Sequence, residues 1–478
     1  MIHTLTPYPA YKDSGVPWLG EVPAHWEVVP SRALFTEVNE RNYPTEQLLS
    51  VTISKGVILQ ADLISNSSKK DSSNEDKSNY KLVRSGDIVY NKMRAWQGAV
   101  GVSQFRGIVS PAYVVVHPRN KQNPNYFHYL LRTPSFAKEA ERWSYGITSD
   151  QWSLRPEHFK MIYCSLPPLS EQSAIVRYLD YMDRRIRRYI HSKQKLIKLL
   201  EEQKQAIIHR AVTRGLDPDI KLRDSGVEWL GDVPEHWEIV KLGFKFRCTS
   251  GSTPSRSTSD YFNGNIPWVR TGELVDSEIY ETKERITSTA IESHSMRMLP
   301  VDTLLIAMYG QGQTRGRTGL LKIEATINQA CLAILPNPQV AYPKYLQYWF
   351  ISQYSQLRQI SESRNTTQPN LNGQMIQNQW LLLPPLSEQA DLIANIRHNT
   401  QQINFIMNYA YQEIALLREY RTRLISDLVT GKLDVRAVAA NLPDEVEETE
   451  MLEDEVDEIE GFDDEQTTEI EEEDVYDY

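Results

Sequence analysis

Cysteine is scarce in this chain: Cys164, Cys248 and Cys331 are its three thiols in 478 residues. An odd, scattered set builds no disulfide framework and has no metal-ligand spacing, which fits a reducing compartment. No apolar run reaches the roughly 20 residues that span a bilayer. The opening MIHTLTPYPAY lacks a basic-then-apolar signal pattern. These absences predict a soluble cytoplasmic protein with no membrane partner. Catalytic signatures are missing too. There is no Asn/Asp-Pro-Pro-aromatic tetrapeptide of the amino-methyltransferase kind, no HExxH, no clustered Cys/His set and no G-x-S-x-G elbow. No catalytic, cofactor-binding or metal residue is expected.

Basic residues vanish at the C-terminal end. From Asp444 to Tyr478 there are 20 acidic residues and no Lys or Arg, and this stretch sets the net charge of −11. Without it the chain carries 52 basic against 43 acidic residues, a net of +9. A mildly basic body is compatible with a phosphate-bearing partner, though many ordinary domains carry such an excess. The tail, taken as residues 437–478, has too few large apolar side chains to offset the entropy of ordering and reads as disordered. It either solubilises the chain or competes with nucleic acid for a basic face.

What the chain does have is a duplication. Lys12–Pro30 reads KDSGVPWLGEVPAHWEVVP and Arg223–Lys241 reads RDSGVEWLGDVPEHWEIVK, with 13 of 19 positions identical. LPPLSEQ occurs at Leu166–Gln172 and again at Leu383–Gln389. IIHRAVTRGLD from Ile207 is echoed by LISDLVTGKLD from Leu424. The ends of the two halves match and their middles diverge, the pattern of one scaffold presenting two different readers. His25 and His236 recur inside the aromatic phrase, where a structural histidine is the better reading.

After each LPPLSEQ runs a segment poor in Gly and Pro. Ile175, Leu179, Met182, Ile186, Tyr189, Lys193, Leu196, Leu200, Gln203 and Ile207 recur at alternating four and three. Leu392, Ile396, Asn399, Ile403, Ile406, Ala410, Glu413, Leu417, Tyr420 and Leu424 repeat the pattern 217 positions later. Both are heptad seams. Ser170 and Ser387 are candidate N-caps, Gly215 and Gly431 candidate stops. Each helix should run about 36 residues, roughly 54 Å. Packing the two antiparallel on each other buries both seams; the alternative is that each lies on its own globular segment.

The globular segments read as mixed α/β. Strands are expected at Gly86–Tyr90, Ala112–His117, Thr303–Ala307 and Ala330–Leu335, and helices at Pro124–Arg132 and Pro343–Arg358 with core-type aromatics. The whole divides as 1–165, a first recognition domain; 166–217, a long helix; 218–382, a second recognition domain; 383–436, a second long helix; and the tail. The candidate DNA-binding residues lie in polar loops. Lys92, Arg94, Trp96 and Gln97 crowd one loop of the first half, and Gln311, Gln313, Arg315 and Arg317 one loop of the second. Gln151 precedes the first LPPLSEQ, and Thr366 and Gln368 the second. Arg pairs with guanine, Gln with adenine, Lys or Thr with phosphate, although Gly-Arg-Gln loops are also common solvated turns. Gly310–Gly316 is no phosphate-binding P-loop: five residues separate the glycines, and Arg317 stands where Lys should be.

Together, DSGVEWLGDVPEHWE, LPPLSEQ before a long helix and VTGKLDVR at Val429–Arg436 resemble the DNA-sequence specificity subunit of type I restriction-modification enzymes. The resemblance covers residues 8 to 436 and leaves out the acidic tail. It implies two target-recognition domains joined by an antiparallel coiled coil, each reading one part of a split double-stranded DNA site. The helices would set the unread gap and dock two methyltransferase subunits. Two restriction/translocase subunits complete such complexes. S-adenosylmethionine, ATP and Mg belong to those partner subunits and none to this chain. Alternatives are a fused or cryptic methyltransferase or nuclease, and an assembly protein that no longer reads DNA.

Overall fold

The computed structural model describes residues 5–65, 76–119, 121–146, 152–310, 313–362 and 370–443. The chain divides into two compact units, one drawing its described residues from Met1–Lys193 and Tyr411–Glu465, the other from Gln194–Ala410. Both divisions fall inside the long helices, Leu169–Arg214 and Leu386–Val429, so each unit keeps a stretch of both.

The opening phrase folds the same way in both units. Tyr11–Asp13 pairs antiparallel with Glu21–Pro23, and Leu222–Asp224 with Asp232–Pro234. The repeated Asp-Ser-Gly makes the turn. The Asp13 carboxylate accepts from the Gly15 N–H at 2.9 Å, and Gly15 takes φ +67°, a left-handed conformation cheap only for glycine. Asp224 and Gly226 repeat this, at 2.9 Å and φ +69°. The strand that follows, Glu27–Pro30, pairs with Tyr163–Leu166; its counterpart Glu238–Lys241 pairs with Trp380–Leu383. Phrase and LPPLSEQ therefore meet in space.

Between them each unit builds a sheet of the same order. In the first it runs Phe35–Val38, Tyr113–Pro118, Ile88–Asn91, Val100–Val102. In the second it runs Cys248–Ser250, Cys331–Ile334, Leu304–Ala307, Thr318–Leu321, with Ser277–Ile279 added parallel at the edge. The central strands are buried on both faces, as in Ile88-Val89-Tyr90 and Leu304–Ala307, which explains their unbroken apolar runs. The expected strands sit within two residues of these. The first expected helix spans Pro124–Leu130; the second is broken at Gln353 into Pro343–Ser352 and Tyr354–Glu362. Tyr126, Phe127, Tyr345, Tyr348 and Trp349 are core residues.

The long helices span 46 and 44 residues, longer than the spacing predicted. In the first unit their pairing is antiparallel: Lys193 meets Glu413 while Asp183 meets Arg421. In the second, Ile208, Ala211 and Val212 share a core with Leu392 and Ile396. The seam departs from a strict heptad. After Ile186 the buried row continues through Ile190 and Ile197, leaving Tyr189 and Leu196 exposed. On the partner helix Thr400, Met407 and Ile414 are buried in place of the expected Asn399, Ile406 and Glu413. A helix of about 3.6 residues per turn drifts against a 3.5 repeat, and the contact row moves by one position.

Both helices begin one residue before the expected serines, at Leu169 and Leu386, with the Pro168 carbonyl accepting from the Glu171 and Gln172 N–H groups. Gly215 and Gly431 do end them, at φ +73° and +82°. The chain past Arg436 is folded where disorder was expected. Arg436–Ala440 is helical, and Val435, Ala439 and Leu442 are buried in the first unit's core, an i, i+4, i+7 apolar stripe that the acidic composition further on obscures. Residues 444–478 lie outside the described residues.

Candidate nucleic-acid interface

Each unit is anchored by one glutamate. Glu171 accepts from the Trp26 indole at 2.6 Å and bonds the His25 ring at 2.7 Å; Glu388 does the same for Trp237 at 3.1 Å and His236 at 2.9 Å. The next residue staples the loop ahead of the aromatic helix. Gln172 accepts from Asn123 N and donates to Pro167 O and Gln122, and Gln389 accepts from Tyr342 N and donates to Pro384 O and Val340 O. This is why Trp-His and Ser-Glu-Gln recur together. The histidines are structural, as their setting indicated. In the first unit the anchor also collects the chain end: Arg436 reaches Glu171 at 3.2 Å and lies over the Tyr8 ring.

On that frame the two polar loops hold equivalent places. Each joins the third and fourth strands of its sheet, at residues 92–99 and 308–317. In the first unit the loop is pinned from within. The Asn91 side chain accepts from Met93 N at 3.0 Å, and the Trp96 indole donates to Met93 O at 2.9 Å. Leu154 N donates to Lys92 O, and Trp96 packs edge-on against Trp152 with ring centroids 5.5 Å apart. Lys92, Arg94, Trp96 and Gln97 are thus brought together, with Arg94 and Gln97 exposed, Lys92 half-buried, and Trp96 spending its polar group on the loop itself. Lys81 adds charge beneath. Its ammonium donates to Tyr113 O at 2.7 Å, and burial, then the Lys92 charge, pull its pKa below the ordinary lysine value.

In the second unit the arginines are already engaged. Arg315 is only 5 % exposed and pairs with Glu362 at 2.8 Å. Arg317 pairs with Asp276 at 2.6 Å and lies over the Tyr354 ring at 4.8 Å. Gln313 is exposed. Gln151, Gln311, Thr366 and Gln368 lie outside the described residues. Sequence reading missed Asp276, Tyr354 and Glu362, which lie about 40 positions from the arginines they hold; the one local signal is Asp276 in a Val-Asp-Ser turn.

No nucleophile emerges from the cysteines. Burial pushes the Cys164 thiol up to about 12 and that of Cys248 up to about 11, away from the reactive thiolate. Among the described residues no helix is long and apolar enough to cross a membrane.

A repeated α/β scaffold, anchored by one Trp-His-Glu set per copy and differing in the segments built between the anchors, defines a duplicated two-domain protein. The chain belongs to the type I restriction modification DNA specificity domain family, whose model matches residues 24–199 and 234–414. It is 24 % identical over 349 residues to the type I restriction enzyme MjaIX specificity subunit of Methanocaldococcus jannaschii, covering 72 % of this chain and 76 % of that one. It is 22 % identical over 336 residues to the EcoBI specificity subunit of Escherichia coli, covering 67 % and 68 %. A chain from a solved structure of type I restriction-modification assembly and conformational transition shares the fold, with a TM-score of 0.60 at 17 % identity, covering 86 % of this chain and 99 % of that one. Its two domain copies make this chain a specificity subunit, the non-catalytic component of a restriction-modification system.

Proposed function

We propose that the domains over residues 1–165 and 218–382 each read one half of a bipartite double-stranded DNA site. The observation that carries this is the shared position of the two divergent loops on one conserved frame. Anchors and sheet order are common to both copies; the hairpin content is not. In the first loop Arg94 and Gln97 are the base-edge candidates and Lys92 the phosphate candidate. In the second, Gln313 faces outward while Arg315 and Arg317 hold the loop. Gln311 remains a DNA-contact candidate as a residue of the second loop, and Gln151, Thr366 and Gln368 by their place ahead of each LPPLSEQ in the sequence.

The helices, in this reading, set the unread gap and dock two methyltransferase subunits. Exposed apolar side chains on them support docking: Leu196, Leu199, Phe405, Ile406 and Tyr409 in the second unit, and Tyr189, Tyr411 and Leu416 in the first. Phe405 is 69 % exposed, a poor use of a phenyl ring unless a partner covers it. Two restriction/translocase subunits would join the same complex. S-adenosylmethionine, ATP and Mg would enter with the partners, and the work would be cytoplasmic.

Mapping methylated bases across the genome of cells carrying variants tests this. Arg94→Ala and Gln97→Ala should alter the first half-site alone, and each lost base-edge contact should cost about 1–3 kcal/mol of discrimination. Uniform weakening at every sequence would make these residues phosphate contacts and refute the assignment.

A further inference from the structure

The second loop contains an arrangement that decides which way a side-chain amide faces. Arg317 is held on three sides. One guanidinium nitrogen donates to Asp276 at 2.6 Å, the plane lies over Tyr354, and Nη2 donates to Gln313 Oε1 at 3.2 Å. Asp276 is itself locked. Its other oxygen accepts from Thr318 N at 2.8 Å and from Thr318 Oγ1 at 2.9 Å, and its backbone sits at φ +61°, a conformation L side chains adopt at a cost. The Tyr354 hydroxyl donates to Gln313 O at 2.7 Å, fixing the backbone at that residue.

A guanidinium has donors and no acceptor. The Gln313 amide must therefore turn its oxygen to Arg317, which leaves the NH2 group facing away. Gln313 is exposed, so that NH2 is what the loop offers to solvent. In the major groove the acceptors are purine N7, guanine O6 and thymine O4, whereas the amino groups of adenine and cytosine are donors. A free glutamine reads adenine with oxygen and nitrogen together; here part of the oxygen's capacity is committed. We propose that Gln313 reads an acceptor on a base edge of the second half-site through its NH2 group, and that Arg317 is its positioning residue and touches no DNA. This rests on the reading that the second unit recognises DNA.

The test uses the full chain assembled with its methyltransferase subunits, and duplexes carrying the site found by mapping methylated bases. Acceptors of the second half-site are deleted singly: N7 with 7-deazapurines, guanine O6 with 2-aminopurine, thymine O4 with a pyrimidinone. One deletion should weaken binding by the unaltered chain about tenfold. Gln313→Ala should bind that duplex and the natural one equally, while first half-site discrimination stays intact. Arg317→Ala should lose the same discrimination with an unchanged dependence of affinity on salt. Arg317→Lys, which keeps a donor, should recover part of it. Discrimination that survives Gln313→Ala overturns the proposal. So does a salt slope for Arg317→Ala reduced by about one, the mark of a lost phosphate contact. If Gln313→Ala alters the first half-site, the assignment of the second unit fails and the proposal falls with it.

Discussion

Replacing Glu171 by alanine should damage the first unit far more than the matching Glu388→Ala damages the second. The Glu171 side chain is 6 % exposed and takes the Trp26 indole, the His25 ring, the Arg436 guanidinium at 3.2 Å and the Tyr8 hydroxyl at 3.4 Å. Trp26 is fully buried, and without its acceptor the indole N–H is orphaned, at a cost of about 1–3 kcal/mol. His25 and Arg436 are 41 % and 46 % exposed and can turn to water, so each adds no more than about 1 kcal/mol. The loss should be about 2–4 kcal/mol. Glu388 is 25 % exposed, holds two donors in place of four, and has water at hand to replace it, so its loss should cost about 1 kcal/mol. Hydrogen exchange read by mass spectrometry assigns the damage. Peptides over Ile88–Asn91 and Tyr113–Pro118 should lose protection in Glu171→Ala, while Leu304–Ala307 and Cys331–Ile334 keep theirs. Glu171→Gln retains an oxygen for the indole and should fall between the two alanine variants. Equal costs at the two glutamates, or deprotection of the second unit by Glu171→Ala, would refute the reasoning.

The two helix-stop glycines should differ. A Cβ at Gly431 would lie 2.3 Å from Pro23 Cδ, whereas at Gly215 the nearest atom is Trp237 Cζ2 at 3.4 Å. In urea melts Gly431→Ala should therefore lose about 2–4 kcal/mol and Gly215→Ala about 1 kcal/mol, the left-handed cost alone. His128, packed under Gly56 and Gly101, accepts from Val102 N, and burial followed by the Arg132 and Arg421 charges pulls its pKa down to about 3. The unfolded chain binds that proton near pH 6.5, so stability is full above 6.5 and falls as pH drops toward 3, by up to about 1.4 kcal/mol per unit. His128→Gln should flatten the first unit's stability between pH 6 and 5 by that slope; an unchanged profile would show the histidine is not the group responsible. Inserting four residues after Lys193 adds about 6 Å of helix. If the helices set the gap, mapped methylation sites should gain one or two unread base pairs, at about 3.4 Å each, with both half-sites unchanged; an active insertion mutant with the original gap refutes the ruler.

How much of this was legible in the sequence depended on whether a partner was local or distant. The duplication was visible because Glu171 holds both Trp26 and His25, and Glu388 holds Trp237 and His236 in the same way. Each set surfaced in the sequence as a matched phrase paired with a matched LPPLSEQ. The strands were visible because Ile88–Tyr90 and Leu304–Ala307 are buried on both faces and cannot hold a polar residue. The seam was legible in part: Ile175 to Ile186 and Leu392, Ile396, Ile403, Ala410 and Leu424 are buried as expected, while other positions slip by one because a 3.5 and a 3.6 repeat part over several turns. The fold past Arg436 was hidden by averaging: three apolar residues, Val435, Ala439 and Leu442, are outweighed by the acidic run that follows them.

The two polar loops show a different limit. Arg94 and Arg317 look alike in sequence, each a basic residue in a polar hairpin. The structure separates them by what lies across from each: Arg94 stands exposed on a pinned turn, while Arg317 has Asp276 and Tyr354. An arginine serves a base and a carboxylate with the same donors, so residue type cannot tell reader from frame; only the position of the carboxylate can. Asp276 immediately precedes Ser277–Ile279, the strand that the second sheet has added at its edge next to Thr318–Leu321. That added strand is one place where the two copies of the scaffold differ, and the carboxylate ahead of it engages an arginine that lies over Tyr354 and also bonds Gln313.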